Sequence, residues 1–347
     1  MTRAVRYIAA RTLDTAPTES SPPGPGEVEV APAYVGICGT DLHIFHGDMD
    51  TRVHTPAILG HEMSGRIVRV GPEVEGWQPG DAVTVMPLRW DDTCPACRAG
   101  HQHICQHLDF IGIDSPGAMQ QRWTVPAATL LRLPDSVSLD RAALVEPTAV
   151  AVHDVGRAAV RGGERVVVVG GGPVGVLIAL VARAAGAEVR LVELSAHRRL
   201  LAEKLGLVTW NPAATNVPDL VREWTGDAGA DVAFEVSGAA AGMDTAVEVL
   251  GVRGRLCLVA IHPQHRQVDL HRFFWRELTL VGARLYDRSD FERAVTLVAD
   301  GTIPAEQLIS KVVPLGEAPS AFEALEAGGD VMKILVDCTD EAEEALV

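Results

Sequence analysis

The sequence lacks the features that mark several large classes of protein. Basic side chains are in the minority, since 30 Lys and Arg face 46 Asp and Glu and leave a formal net charge of −16. A field of this sign repels phosphate backbones and anionic headgroups, so we expect neither a nucleic-acid partner nor a membrane partner. There is no internal repeat and no low-complexity tract. With 47% apolar and 22% charged residues, the composition excludes a disordered chain, a coiled coil and a collagen helix.

The sequence also shows no targeting signal and no membrane span. Arg3 and Arg6 interrupt the stretch in which a signal peptide carries its apolar residues. The longest uncharged run, 166–182, contains several Gly and one Pro, whereas a membrane helix needs about 20 apolar residues without such a break. A strand that turns sharply into a helix explains the run better. We therefore expect a soluble, cytoplasmic protein with a solvated acidic tail at 340–344.

Cysteine is scarce, and its six residues are unevenly placed along the chain. In a cytosolic protein, close cysteine spacing indicates metal binding or catalysis sooner than disulfides. Cys257 lies in an apolar stretch and Cys338 lies near the tail, so we interpret both as small buried apolar residues. The other four cysteines are candidate metal ligands.

Length and texture predict two domains. A chain of 347 residues suits two domains of roughly 100 to 200 residues each. Residues 1–148 contain short alternating or β-branched runs broken by Gly and Pro, which predict a mainly β domain. Residues 149–288 alternate apolar strands with helical patterns, which predict a Rossmann-type, doubly wound parallel sheet. Residues 289–347 are expected to return to the first domain, so the predicted fold class is α/β.

A glycine-rich loop follows the first strand of the predicted parallel sheet. Gly170, Gly172 and Gly175 match the pattern G-x-G-x-x-G directly after four valines, and Pro173 and Val174 open a helical pattern. This context predicts a dinucleotide site, because the glycines admit the pyrophosphate and the helix N-terminus supplies amides to it.

Glu193 is the expected acceptor for the ribose hydroxyls. It lies 18 residues after Gly175, at the end of the next predicted strand. A carboxylate at this position repels a 2′-phosphate, so we expect NAD as the cofactor. Arg198 and Arg199 could neutralise such a phosphate, which leaves NADP as the alternative.

Three potential zinc ligands lie at predicted strand ends. Cys38 follows one strand, and His61 and Glu62 open the next. A thiolate, an imidazole and a carboxylate brought together in this way form a zinc set with room for an exchangeable ligand. By composition alone, a lone His-Glu pair such as His61 and Glu62 is more often an ordinary surface or capping pair.

The order of the motifs resembles that of the zinc-dependent medium-chain dehydrogenase/reductase family. The chain carries G-I-C-G-T-D-x-H from Gly36, G-H-E from Gly60, a Cys-rich segment, V-E-P from Val145 and G-G-G-P-V-G from Gly170. The resemblance spans nearly the whole chain and is closest to the branch that holds sorbitol, 2,3-butanediol and threonine dehydrogenases. It implies a GroES-like, mainly β catalytic domain beside the Rossmann domain, an active cleft between them, and a homodimer or homotetramer.

The resemblance also implies roles for individual residues. Cys38, His61 and Glu62 match the family's catalytic zinc ligands, and Glu146 matches the carboxylate that reaches the zinc or holds its water. Asp41 matches the carboxylate that orients the ligating imidazole.

Two further expectations concern the neighbours of these ligands. Thr40 and His43 resemble the family's proton relay, in which a hydroxyl lies near the substrate oxygen and an imidazole lies nearer to solvent. An exposed loop histidine is the alternative interpretation of His43. Because Pro147 follows Glu146, we expect Glu146 to be extended, just before a helix start.

The Cys-rich segment resembles the family's structural zinc lobe. Cys94, Cys97 and Cys105 match the last three positions of C-x2-C-x2-C-x7-C, and the first position falls on Asp91. Zinc accepts carboxylate oxygen, so we predict a second zinc with one Asp and three Cys ligands. A lobe with free thiols is the alternative, and other side chains could supply the fourth ligand instead of Asp91: Asp92, His101, His103 or His107.

The function implied is hydride transfer between a secondary alcohol and NAD, with zinc as a Lewis acid that lowers the pKa of the alcohol. Glu146 followed by Pro147 resembles the diol and polyol enzymes, which favours a small-molecule substrate of vicinal diol or polyol type. The arginine that anchors polyols in sorbitol-type enzymes falls on Leu285, between Arg284 and Tyr286, with Arg288 nearby. The alternatives are a threonine-type amino alcohol dehydrogenase and, in a different class, a catalytically silent dinucleotide-binding sensor.

Overall fold

The structure, a computed structural model, describes residues 2–262 and 264–339. The acidic tail predicted at 340–344 lies outside the described residues. The chain divides into two compact units. The first comprises the chain up to Glu146, together with Asp287–Gly301 and the residues from Ala305 onward, and the second comprises Pro147–Tyr286 and Thr302–Pro304. The sequence predicts the two divisions at 148–149 and 288–289.

Most elements of the first unit precede Val145, and they are mainly strands. The strands are β1 (Thr2–Ala9), β2 (Thr12–Thr18), β3 (Glu27–Gly36), β4 (Ala57–Ile58), β5 (Glu62–Val70), β6 (Ala82–Val85), β7 (Leu88–Arg89), β8 (Asp109–Phe110), β9 (Trp123–Pro126) and β10 (Leu130–Arg132). The helices are short: α1 (Gly39–Phe45), α2 (Pro95–Arg98) and α3 (Leu139–Ala142). The frequent Gly and Pro between the strands end each run early, as expected for a mainly β unit.

Strands and helices alternate through the second unit. The helices are α4 (Val145–Arg157), α5 (Pro173–Ala184), α6 (Ala196–Lys204), α7 (Val217–Thr225), α8 (Ala240–Glu248) and α9 (Leu270–Arg276), α4 beginning within the first unit. The strands are β11 (Arg165–Val169), β12 (Glu188–Val192), β13 (Val208–Trp210), β14 (Ala230–Glu235), β15 (Leu250–Leu258) and β16 (Thr279–Gly282).

The last elements belong to the first unit. They are α10 (Arg288–Ala299), α11 (Ala305–Leu308), β17 (Ile309–Pro314), α12 (Ala318–Glu326) and β18 (Lys333–Asp337). β17 and β18 pair parallel to each other, and β18 pairs antiparallel to β3 with Leu335 opposite Gly36. They complete a seven-stranded sheet in the order β10-β6-β5-β3-β18-β17, with β9 also on β3. The chain therefore returns to the first unit at Asp287, apart from Thr302–Pro304.

The second unit contains one six-stranded sheet in which every pairing is parallel. Its strand order is β13-β12-β11-β14-β15-β16, the arrangement of a doubly wound sheet. The order in which strands are added to the sheet reverses between β11 and β14. Buried residues of the strands pack against helices α7 and α8 in one apolar cluster, which includes Val167, Val192, Val221 and Val247. The apolar run that forms β11 is buried, as expected for a central strand of a parallel sheet, whereas the edge strand β16 is largely exposed.

Two smaller predictions concern the isolated cysteines and membrane spans. Cys257 and Cys338 are fully buried, which confirms their interpretation as small core residues. Within the described residues, no helix has the length and apolarity that crossing a bilayer requires.

Candidate functional site

The first group of potential ligands is built by the register of β3 and β5. These strands pair antiparallel with Gly36 opposite Glu62, so Cys38, two residues past β3, comes beside His61 and Glu62 at the start of β5. Ligand atoms of Cys38, His61 and Glu62 all lie within 4.8 Å of one another. Gly36 is required here, because a Cβ at that position would meet Glu62 Oε2 at 2.2 Å.

His61 is buried between an acidic and an aromatic neighbour. Its Nδ1 lies 3.6 Å from Asp41 Oδ1, beyond hydrogen-bond distance, and Phe110 packs edge-on against its ring. Burial lowers the pKa of the imidazole, but Asp41, Cys38 and Glu146 more than offset this and raise it well above its usual value. The surroundings of His61 are therefore rich in groups that favour a cation.

Asp41 is fixed by the helix that carries it. Its Oδ2 accepts a hydrogen bond from the Cys38 amide at 2.8 Å, which forms part of a capping box at the start of α1. Asp41 Oδ1 and His61 Nδ1 face each other and are both buried without a hydrogen-bond partner. This is the pair that the sequence predicts as imidazole and orienting carboxylate.

Lys333 is a member of this group that sequence reasoning missed. Its Nζ donates to Glu62 Oε1 at 2.8 Å, to Glu62 Oε2 at 2.6 Å and to the Ile37 carbonyl at 3.2 Å. Both side chains are almost completely buried, at 3% and 2% exposure. Burial lowers the pKa of Lys333, but Glu62 and Cys38 outweigh burial and raise it. Two features of the sequence could have drawn attention to Lys333. It is one of three lysines in the chain, and it opens the apolar strand β18.

Glu146 acts on this group through its charge, but its backbone conformation differs from the one that the sequence predicts. It lies outside the set of atoms within 4.8 Å of one another, although its charge raises the pKa values of both His61 and Lys333. The expectation that Glu146 is extended is wrong, because α4 begins at Val145 and Glu146 lies in its first turn. Pro147 is tolerated there, since the amides of the first turn need no partner within the helix.

Thr40 and His43 lie on successive turns of α1, directly after Cys38. Residues three apart share a helix face, so the two side chains leave α1 on the same side. His43 is half-exposed, and its Nδ1 lies 3.0 Å from Asp48 Oδ2. His43 is therefore in contact with both solvent and a carboxylate.

The predicted second metal site forms a compact group in the first unit. Ligand atoms of Asp91, Cys94, Cys97 and Cys105 lie within 4.8 Å of one another, and the three thiols are buried. Amides of Cys97 and Gln106 donate to Cys94 Sγ and hold the pKa of this thiol at about 7. Amide hydrogen bonds of this kind stabilise a thiolate, which is the form that binds metal.

Asp91 is the carboxylate of this group, and the alternative ligands lie apart from it or contact it. The Thr93 and Cys94 amides donate to Asp91 Oδ1, while His107 Nδ1 lies 2.5 Å from Asp91 Oδ2. His107, chiefly, holds the pKa of Asp91 well below its usual range. His103 instead pairs with Asp287 at 2.8 Å.

In the second unit, the glycine loop connects β11 to α5. Gly170 has a φ of +109°, which favours glycine, and a Cβ at Gly175 would lie 1.9 Å from the Gly170 carbonyl oxygen. Gly172 caps α5, and Pro173 occupies its first turn, where a missing amide hydrogen costs nothing. Val174 follows within the same turn. The loop thus presents backbone amides at a helix N-terminus.

Glu193 lies directly beside this loop, at the end of β12. Its two oxygens accept hydrogen bonds from the amides of Gly171 and Ser195, each at 2.6 Å. An ionised carboxylate has about four lone-pair sites, so Glu193 keeps the capacity to accept from a ribose diol. The Arg198 guanidinium approaches within 3.9 Å of where a Cβ on Gly172 would lie.

Comparison with known proteins agrees with both units. Residues 24–135 match the family model of the alcohol dehydrogenase GroES-like domain, and residues 173–300 match that of the zinc-binding dehydrogenases. Among curated relatives, a 2-dehydro-3-deoxy-L-galactonate 5-dehydrogenase of Pseudoalteromonas atlantica is 46% identical over 97% of this chain and 99% of its own length. An L-galactonate-5-dehydrogenase of Escherichia coli is 32% identical over 87% of this chain and 88% of its own.

A solved structure gives the same result. The crystal structure of 2R,3R-butanediol dehydrogenase from Bacillus subtilis superposes with a TM-score of 0.90 at 30% identity, covering 97% of this chain and 99% of that one. The predicted combination of a GroES-like domain and a Rossmann domain is thereby confirmed, as is the predicted resemblance. The chain belongs to the zinc-dependent medium-chain dehydrogenase family and is an oxidoreductase that acts on secondary alcohols.

Proposed function

We propose that this enzyme oxidises a secondary hydroxyl of a polyhydroxy carboxylate, with NAD as the hydride acceptor. The observation that carries the proposal is the 46% identity, over nearly the full length of both chains, to a dehydrogenase named for position 5 of a deoxy sugar acid. A second relative is named for the same position of a related acid. Both names fall within the polyol-type substrates expected from the sequence, and they add a carboxylate.

The first ligand group is suited to a catalytic zinc. It combines a thiol, an imidazole and a carboxylate, and Asp41 and Glu146 add further negative charge beside it. We assign Cys38, His61 and Glu62 as ligands, with Glu146 reaching the metal or holding its water. Zinc, when bound, supplies a Lewis acid that lowers the pKa of the substrate hydroxyl, and NAD supplies the hydride acceptor.

The residues of α1 are placed to remove the proton that the substrate loses. We assign the Thr40 hydroxyl as the first acceptor and the His43 imidazole as the group that passes the proton to water. His43 is half-exposed, which gives its ring access to water, and its Nδ1 lies 3.0 Å from Asp48 Oδ2. We assign Asp41, whose Oδ1 lies 3.6 Å from His61 Nδ1, as the carboxylate that orients the His61 ring.

The second ligand group is suited to a structural zinc. Asp91, Cys94, Cys97 and Cys105 supply four protein donors, and a closed set of four is typical of structural rather than catalytic zinc.

Within the described residues all six cysteines are free thiols, which supports a reducing compartment, and we place the enzyme in the cytoplasm.

We assign the first unit as the catalytic domain and the second as the NAD-binding domain. The loop at Gly170–Gly175 offers amides to the pyrophosphate, and Glu193 offers a carboxylate to the ribose. The same carboxylate disfavours a 2′-phosphate, so NAD is preferred over NADP. The Arg198 guanidinium lies near Gly172 of the loop, and we assign it a role in binding the phosphates of the cofactor.

A homo-oligomer is supported by an apolar face on the second unit. β16 is an edge strand of the six-stranded sheet, and exposed apolar side chains lie on it and on the preceding α9: Leu270, Phe274, Trp275 and Leu280. An edge strand beside such a patch is self-complementary across a two-fold axis, so a second copy of this chain is the occupant we propose.

The double variant Phe274→Glu/Trp275→Glu should sediment as a monomer. Leu200→Glu, on exposed α6, should keep the oligomer, and a monomeric wild type would contradict the proposal.

Initial rates of NADH formation test the proposed substrate class. The panel consists of L-galactonate, sorbitol, 2,3-butanediol and L-threonine, each with NAD and with NADP. We expect the highest kcat/KM for the sugar acid with NAD. A preference for L-threonine would identify an amino alcohol dehydrogenase, and a preference for sorbitol would show that no carboxylate is recognised.

A further inference from the structure

A buried carboxylate at the end of β14 has no part in the site described so far. Glu235 is completely buried at the last position of that strand. Its Oε1 accepts hydrogen bonds from the Ser237 amide at 2.9 Å, the Ser237 hydroxyl at 2.5 Å and the Gly238 amide at 3.1 Å. One oxygen of Glu235 therefore fixes the turn that follows the strand.

The other oxygen fastens a segment that is distant along the chain. Glu235 Oε2 lies 2.9 Å from His262 Nε2, and His262 Nδ1 accepts a hydrogen bond from Arg266 Nε at 3.1 Å. Since an arginine nitrogen only donates, His262 is the neutral tautomer with its proton on Nε2. Arg266 also donates to the Gly238 carbonyl at 3.2 Å, so the contacts close into a ring.

This ring holds residues that have no regular structure. Residues 259–262 and 264–269, between β15 and α9, form neither strand nor helix. The amides of Val259 and Ala260 donate to the Glu235 carbonyl, and beyond them His262 and Arg266 provide side-chain attachments to Glu235 and Gly238. We call Glu235, His262 and Arg266 the latch.

The latch lies where a doubly wound sheet binds its ligand. Glu235 on β14 pairs with Val169 on β11. The strand order of the sheet reverses between these two strands. Gly170 follows Val169, and a Cβ on Gly170 would meet the Ser237 amide nitrogen at 2.8 Å. The turn fixed by Glu235 thus packs on the glycine loop, at the carboxyl edge that receives dinucleotides in such sheets.

We propose that the latch positions residues 259–262 and 264–266 as a preformed wall of the dinucleotide site, and thereby sets the affinity for NADH. This inference rests on the proposed function, since it assumes that NAD(H) binds at the glycine loop. Without the latch, the segment becomes ordered only when the cofactor binds, and that ordering weakens affinity. His262, Glu235 and Arg266 are positioning residues, because they act through the backbone that they fix.

The central variant is His262→Ala, which removes the side chain that links Glu235 to Arg266. Gln267→Ala is the matched control, because Gln267 is an exposed residue of the same segment and lies outside the proposed wall. We expect His262→Ala to raise the Kd for NADH, titrated by its fluorescence, about tenfold, which corresponds to about 1.4 kcal/mol. Gln267→Ala should leave the Kd for NADH unchanged.

Hydrogen exchange of the cofactor-free protein provides an independent readout. The amides of 259–262 and 264–269 should exchange faster in His262→Ala than in wild type, whereas those of β11 and β14 should not change. A purely structural role would lower the Tm and leave the Kd for NADH unaltered. Wild-type Kd in His262→Ala would overturn the latch while the proposed function stands. A wild-type protein that fails to bind NADH would overturn both.

Discussion

Single residues of the first unit determine the charge balance around the proposed catalytic zinc. Lys333 neutralises Glu62 through both carboxylate oxygens, so a metal at this position competes with an ammonium for the same ligand. Asp41 balances His61 on the other side. Cys38 and Glu62 therefore differ as candidate ligands, since the Glu62 carboxylate is shared with Lys333.

Replacing Lys333 with Met should destabilise the protein strongly. The change leaves the Glu62 carboxylate buried without its partner, and breaking a buried ion pair costs about 3–5 kcal/mol. Lys311→Met, an exposed lysine on β17, is the control and should change the free energy of unfolding by less than about 0.5 kcal/mol. Urea unfolding of the two variants measures this. Equal stabilities would show that Glu62 does not depend on Lys333.

Replacing Glu193 with Ala should weaken NAD binding by about 1–3 kcal/mol, because a charge-assisted acceptor for the ribose is lost. The same change should reduce the preference for NAD over NADP. Glu188→Ala, at the other end of β12, should affect neither. Titrations with both cofactors measure the effect, and a wild-type enzyme that already prefers NADP would contradict the role given to Glu193.

The sequence identifies candidate ligands more readily than it identifies their neighbours. Cys38, His61 and the Cys-rich group are recognisable because their spacings are local, and the structure brings them together. The contact between Lys333 and Glu62 joins residues 271 positions apart, so no local pattern contains it. The expectation for Glu146 is wrong for a different reason. A residue before proline usually avoids the helical conformation, but the first turn of a helix tolerates proline, and Glu146 lies in such a turn.

At the scale of elements, the register between β3 and β5 builds the proposed metal site. Both strands are predictable from their alternating patterns, and the structure places them at Glu27–Gly36 and Glu62–Val70. Their pairing is not predictable in the same way, since register depends on which residues can face each other across the sheet. Gly36 is the residue that permits this register, because it leaves room for the Glu62 carboxylate.

Gly36→Ala should therefore reduce both stability and zinc binding at the first group. The new methyl would overlap Glu62 Oε2, and the carboxylate or the strand must move. Gly39→Ala is the matched control, because a Cβ there meets nothing within 4 Å. Thermal unfolding and zinc content per chain measure the difference. Similar values for the two variants would show that the register tolerates a side chain at position 36.

At the scale of the whole molecule, we assign two separable tasks to the two units. The alternation of strands and helices predicts the parallel sheet well, since each buried strand reads as an apolar run. The strand order at the carboxyl edge and the latch across it come from long-range packing and were not predicted. Because the metal groups belong to the first unit and the glycine loop to the second, metal binding and cofactor binding should respond to different mutations.

The pair Cys38→Ser and Cys97→Ser uses that separation. Cys97→Ser should lower zinc content and Tm, because a structural zinc contributes folding free energy, while hydride transfer by the folded fraction persists. Cys38→Ser should keep the second zinc and bind NADH like the wild type, since its change lies in the other unit.

Single-turnover hydride transfer by Cys38→Ser, measured beside its zinc content, tests the zinc mechanism most directly. We expect a folded protein that binds NADH, carries one zinc fewer per chain than the wild type and forms no NADH from substrate and NAD. Appreciable hydride transfer by Cys38→Ser without that zinc would show that the metal is not the Lewis acid, and the mechanism would be wrong.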